Sequence, residues 1–174
     1  NSSESTGDLT IITAETSGDS YGIDANNDGS GALSITTTGT TTGTNGDGIY
    51  ANNSSNSIGD LTIVAAKTSG GDDGIQAINY GSGTLSITTS SMITGGVDYG
   101  ISTHTSINET AYVTLNSGAA VSSTAGLGIY NNKGNSVITV NTGASVAGEI
   151  VLNEGADSLE FAGGDFRAVT LFDG

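Results

Sequence analysis

The 174-residue sequence predicts an all-β fold, a parallel β-solenoid of about seven rungs. Three observations predict it. Residues 1–52 recur without a gap as residues 53–104, with 29 of 52 positions identical, so the chain is built by repetition. Within each copy an apolar Leu-x-Ile phrase alternates with a Gly-Ile phrase, and Ile23, Ile49, Ile75 and Ile101 of the second phrase follow one another at intervals of 26 residues. The apolar runs are short, β-branched and interrupted by Gly, Asn and Ser. This suits strands and not helical repeats, whose elements need about ten or more residues at a 3.6 period. An antiparallel sandwich would not require like residues at like positions, whereas parallel coils stacked about 4.8 Å apart do.

Leu, Ile, Val and Phe make up about 21% of the chain, close to the ~20% below which a highly charged chain reads as disordered. With a net charge of -15 and 28 glycines, only their periodic placement can gather these residues into a core. Each one stacked inward contributes roughly 1.5–3 kcal/mol. Lys67, Lys133 and Arg167 face 18 acidic residues, which excludes nucleic acid as a partner and disfavours anionic lipid surfaces. The chain has no cysteine, hence no disulfide framework and no thiolate metal site. It has no run of 18 apolar residues, so no direct membrane insertion of this segment is expected, and it shows no basic-then-apolar leader. Asn1-Ser2-Ser3 returns as Asn53-Ser54-Ser55, as in a piece cut from a longer array. The chain therefore reads as a single β-helix fragment, with tandem two-rung repeats at 1–52 and 53–104 and shorter, more divergent rungs over 105–174.

Taken in order, the first strand type is Leu9/Ile11, Leu33/Ile35, Leu61/Ile63 and Leu85/Ile87, continued more loosely by Val113/Leu115, Ile138/Val140 and Leu159/Phe161. One polar residue separates each pair, the period-2 mark of a half-buried strand. The second type is Gly22-Ile23, Gly48-Ile49, Gly74-Ile75, Gly100-Ile101 and Gly128-Ile129, with Glu149-Ile150 as a weaker successor. A third is visible at Met92-Ile93, Ala120-Val121 and Ser145-Val146. From the second type to the next first type the offsets run 10, 12, 10 and 12, ending at Leu33, Leu61, Leu85 and Val113, and this suggests a two-rung ancestral unit. Asn27, Asn53 and Asn79 mark one corner, where asparagine suits a left-handed turn and can hydrogen-bond its backbone. A short amide ladder is expected there, broken where Thr105 and Lys133 take over.

The C-terminal third carries Val113, Leu115, Gly118 and Val121, then Val140, Gly143, Val146, Gly148 and Ile150, then Gly155, Asp157, Leu159, Phe161, Gly163 and Gly164. This resembles the passenger regions of bacterial autotransporters and related secreted adhesins. The resemblance implies a right-handed parallel β-helix at the bacterial cell surface, or secreted, that serves as an adhesin or a stalk. It also implies an outer-membrane anchor through a C-terminal barrel, which this sequence lacks.

The candidate sites are few. Asp157 stands where a calcium-binding nonapeptide repeat would place its aspartate, but the unit is not iterated, so a turn aspartate is expected. Asp19, Asp24, Asp72 and Asp73 offer oxygen ligands to a hard cation, with solvated turn carboxylates as the plainer reading. No metal, cofactor or catalytic residue is assigned. A sugar-cleaving enzyme needs two carboxyls about 5–10 Å apart, and Asp24 under Gln76 or Asp8 under Asp60 are the nearest approaches. A lyase would want basic residues, and Arg167 is alone near the end. His104 reads as a turn substitution, Tyr50 and Tyr130 as outward residues of the Gly-Ile face, and the sequons at Asn52, Asn53 and Asn108 as chance. The expected function is a non-enzymatic adhesive surface or rigid stalk, with a host-cell receptor, a glycan or self-association as its partner. The alternatives are a carbohydrate-active β-helix of tailspike type, marked by carboxylates in an aromatic-flanked groove, and a calcium-dependent surface repeat protein.

Overall fold

The computed structural model describes residues 1–165 and the backbone of residues 169–173. Among them there is no helix, and every named strand pairs in parallel with its equivalent in the neighbouring coil. One sheet holds seven strands, Leu9–Thr13, Leu33–Thr37, Leu61–Ala65, Leu85–Thr89, Thr110–Leu115, Asn135–Asn141 and Ser158–Ala162. A second holds six, Thr16–Gly18, Thr41–Gly43, Thr68–Ser69, Met92–Gly95, Ala120–Ser123 and Ser145–Val146. The third holds seven, Ile23–Asn27, Ile49–Asn53, Ile75–Asn79, Tyr99–Thr105, Leu127–Asn131, Gly148–Leu152 and Val169–Asp173. The three sheets wind as a β-solenoid around a core made of stacked columns.

The 26-residue beat is one of these columns. Ile23 lies on Ile49, followed by Ile75, Ile101, Ile129 and Ile150, all of them buried. On the first sheet Leu9, Leu33, Leu61 and Leu85 form one column and Ile11, Ile35, Ile63 and Ile87 another.

Beyond residue 105 the register corrects the sequence reading. Val113 does not follow Leu85. It lies on Ile87, while Ala111 follows Leu85 and Leu115 follows Thr89. Downstream, Ile138 lies on Val113 and Val140 on Leu115, then Leu159 on Ile138 and Phe161 on Val140. The apolar pair has moved two residues along the strand. A shift of two keeps the same side chains inward, so alternation in the sequence cannot reveal it. Measured to residues that stack, the offsets from Ile23, Ile49, Ile75 and Ile101 end at Leu33, Leu61, Leu85 and Ala111, and so run 10, 12, 10 and 10. The two-coil alternation does not extend into the third repeat.

The corners are closed by two different chemistries. Asn27, Asn53 and Asn79 are stacked and fully buried. Asn27 Nδ2 donates to Gly31 O at 2.8 Å and to Asn53 Oδ1 at 3.0 Å, and Asn79 Nδ2 donates to Gly83 O at 2.6 Å. The amide ladder is thus present, and Thr105 succeeds Asn79. Its basis is the side-chain amide and not a left-handed backbone, for among the described non-glycine residues only Asn108 has positive φ. Lys133 does not inherit the column. Asn131, two residues earlier and stacked on Thr103, is the buried amide of that coil, and its Nδ2 donates to Gly134 O at 2.9 Å. The later coils turn instead on left-handed glycines, among them Gly118, Gly134, Gly143 and Gly155, a conformation glycine adopts without penalty.

The glycine of each Gly-Ile phrase has another cause. A Cβ at Gly48 would stand 2.5 Å from Thr68 Cγ2, and one at Gly74 would stand 2.7 Å from Ile93 Cγ2. The obstructing methyl comes from the second sheet, whose inward column is Thr16, Thr41, Thr68, Ile93, Val121 and Val146. The sequence marks the last three of these strands and gives no sign of the threonines. The Thr16 and Thr41 hydroxyls are buried without a hydrogen-bond partner.

Two predictions follow from this packing. Ile75→Ala is expected to cost about 2–5 kcal/mol of unfolding free energy, against no more than about 0.5 kcal/mol for Ile12→Ala, a side chain that is 75% exposed. Urea denaturation followed by circular dichroism checks both, and equal losses would contradict the columns. Thr41→Val keeps the methyl that packs on Gly22 and removes a buried, unbonded hydroxyl. It is expected to raise stability by about 1 kcal/mol, and destabilisation in the same assay would count against the inward threonine column.

Candidate functional site

The outward side chains of the third sheet form two columns. One runs Asp24, Tyr50, Gln76, Ser102, Tyr130 and Val151. The other runs Asn26, Asn52, Ile78 and His104, with Asn132 beside His104. Ser102 is the small member between Gln76 and Tyr130. The gap it leaves opens a groove of about 300 Å³ across three coils.

Tyrosines wall this groove. The Tyr99 and Tyr130 rings stack with centroids 4.4 Å apart and planes inclined by 11°. Also lining the groove, the Tyr80 ring meets the His104 ring edge-on at 5.0 Å. Outside the groove Tyr21 and Tyr50 pack at 5.6 Å. A string of hydrogen bonds ties the walls together. Asn153 Nδ2 donates to the Tyr130 hydroxyl at 3.1 Å, and that hydroxyl donates to Asn132 Oδ1 at 3.0 Å. With Oδ1 so engaged, Asn132 presents its amide N–H to His104 Nδ1 at 3.0 Å. Nδ1 therefore accepts, and the neutral imidazole carries its proton on Nε2. Burial, and then Lys133, hold the His104 pKa below its ordinary value and so favour this neutral form.

Two carboxylates lie beneath the rim. Asp47 Oδ1 accepts the Asp73 backbone N–H at 3.0 Å, and Asp73 Oδ1 accepts the Tyr99 N–H at 2.7 Å. Asp73 Oδ2 accepts from Gln76 Nε2 at 3.0 Å. Asp73 is only 2% exposed, so it is a buried tie between coils and not the solvated turn carboxylate the sequence suggested. Burial, opposed by the Tyr99 N–H bond and reinforced by Asp47, pushes its carboxyl up to about 7. Burial raises Asp47 as well.

The other sequence candidates stay apart. Asp19 and Asp24 are exposed and Asp72 is half-buried. Asp24 does not sit directly under Gln76, because Tyr50 intervenes. Asp8 and Asp60 are separated by a coil, and each caps the next one, accepting from Ala32 N and Thr84 N at 2.8 Å. Asp157 accepts the Ser136 hydroxyl at 2.6 Å. Among the described residues no three His, Cys, Asp or Glu side chains converge as metal ligands. Arg167 lies outside the described residues. Asn53 is locked in the buried ladder, whereas Asn108 is exposed on a left-handed turn. His104 is a strand residue and not a turn substitution.

Sequence reasoning found Tyr50, Tyr130 and His104 one at a time and missed the groove. Tyr80 follows the strand Ile75–Asn79 and Tyr99 opens the strand Tyr99–Thr105, both outside the alternating Gly-Ile phrase. The available signal was the 26-residue frame, which places Ser102 between two larger neighbours. Fold and groove together define a class, a three-sided parallel β-solenoid whose third face carries a polar, tyrosine-walled groove. The chain matches no protein-family model, no curated protein and no solved structure.

The raised Asp73 carboxyl fixes the sign of a pH effect. Its ordinary value is 3.8 and its folded value about 7, so between the two the folded chain holds a proton that the unfolded chain releases. Stability is therefore highest below that window and falls as pH rises through 7. Asp73→Asn keeps an acceptor for Tyr99 N–H and removes the charge. Its urea midpoint is expected to exceed that of the unmodified chain at pH 8 and to match it near pH 4. A midpoint lowered at pH 8 and unchanged near pH 4 would show instead that the carboxylate form is the stabilising one.

Proposed function

We propose that the chain is a non-enzymatic segment of a bacterial cell-surface or secreted protein of the autotransporter-passenger type, acting as a rigid stalk with an adhesive face. The single observation that carries this reading is the isoleucine column stacked from Ile23 to Ile101 beneath an outer face bearing Tyr21, Tyr50, Tyr80, Tyr99 and Tyr130. Stacked coils make a long object from few apolar residues, and exposed tyrosines are effective anchors for a partner. The left-handed glycines Gly118, Gly143, Gly148, Gly155 and Gly163 are those of the passenger-like phrases. In this reading the parent anchors in the outer membrane through a C-terminal barrel, and the partner is a host-cell receptor, a glycan or a second copy.

The aromatic-flanked groove is the feature that favours the carbohydrate-active alternative. Against cleavage, both Asp73 oxygens accept bonds from the chain itself and its side chain is buried. Of the two acids that line the groove, Asp73 is buried and Asp98 is exposed. Recognition without hydrolysis fits this arrangement better.

Fused ahead of an outer-membrane autotransporter barrel in a bacterial host, the chain is expected to reach the cell surface. Protease added to intact cells should then remove it. A fusion that folds its barrel yet keeps the segment protected inside the cell would defeat the surface reading.

A further inference from the structure

The groove over Ser102 has the size and chemistry of a ligand site. We infer that it binds a neutral saccharide, which lies on the Tyr99–Tyr130 wall and is held by the amides of Gln76 and Asn132 and by His104. The inference rests on the adhesive reading above and names the ligand class for that face.

Three observations carry it. The first is shape. About 300 Å³ is at the lower end of ligand clefts, room for one or two sugar rings, and the floor is a serine that is 9% exposed. The second is the wall. Tyr99 and Tyr130 are already stacked face to face, which holds the pair rigid and leaves an outer ring face of the kind that takes the C–H face of a sugar ring at little ordering cost. The third is the balance of polar groups. Gln76 is committed through its Nε2 to Asp73 and keeps its carbonyl oxygen, while Asn132 and His104 are fixed by each other and keep one N–H each. With the Ser102 hydroxyl, this gives preorganised donors and acceptors and no cation, as a polyol requires.

Charge excludes the other ligand classes. Asp98 is exposed on the rim, and the whole chain carries -15, so a sulfated or uronic polymer is repelled. A cationic peptide would find one open carboxylate in the lining, Asp98, and a single pairing site is too few to make a cation the preferred ligand. Asp73 is spent on Tyr99 N and Gln76, and Lys133 stands near His104.

The test uses the whole chain and a panel of neutral oligosaccharides, comprising glucans, galactans, mannans and N-acetylglucosamine oligomers, read by calorimetry. At least one class is expected to bind, with little change in affinity on raising salt, and to be recovered intact. Ser102→Tyr places in the gap the side chain that Tyr50 and Tyr130 already carry in the same column, so it is expected to fold and to weaken binding at least about tenfold. Tyr112→Ala, on the outer face of the first sheet, should leave binding unchanged. Failure of every neutral oligosaccharide to bind would overturn the inference. So would full affinity in the Ser102→Tyr variant, cleavage of the sugar, or binding confined to oligolysine and abolished by salt. Surface display without sugar binding would sink this inference alone, whereas sugar binding by a chain that is never displayed would sink the surface reading alone.

Discussion

Parallel coils stack only if each inward side chain meets its equivalent one coil away, about 4.8 Å along the axis. That requirement explains why this chain repeats. An isoleucine at position 49 is dry because Ile23 and Ile75 cover it from both sides, and a polar residue in either place would leave its neighbours half wetted. Repetition in the sequence is the covalent record of this mutual burial. The Gly-Ile phrase belongs to the same constraint. Its glycine gives way to a β-branched methyl from the second sheet, so a column on one sheet depends on a column on another.

The polar residues inside obey a related rule. Asn27, Asn53 and Asn79 are fully buried, and each spends its amide on the carbonyls of its own corner or on the asparagine of the next coil. Asp47 and Asp73 hold the backbone N–H one coil ahead. A buried amide or carboxyl is tolerated where it is bonded and costly where it is not, which is why Thr16 and Thr41, with unbonded hydroxyls, stand out among the buried polar groups. The carboxyl ties also make the corner beneath the groove sensitive to protonation.

Outward residues are freed from like-on-like stacking, and function has room there. The column Asp24, Tyr50, Gln76, Ser102 and Tyr130 varies at every step, unlike the isoleucine column beside it. Variation in size along one file makes relief on an otherwise flat sheet. The groove is therefore assembled from residues in three coils, with a serine supplying depth and tyrosines of neighbouring coils supplying walls.

By itself the sequence determined the architecture. The 26-residue interval places Ile23 through Ile101 in one file, the alternation of Leu-x-Ile makes the strands half-buried, and Asn27, Asn53 and Asn79 mark a corner ladder. These are legible because they are local periods repeated along the chain. Only the tertiary structure decided the register beyond residue 105, because a slip of two residues preserves the alternation and leaves no mark in it. It also decided that Asp73 is buried and that Thr41 points inward, since the burial of a polar side chain depends on the coils above and below it. The meeting of Tyr80, Tyr99, His104 and Tyr130 was decided there too, because they belong to three coils and outward residues carry no repeat that would pair them.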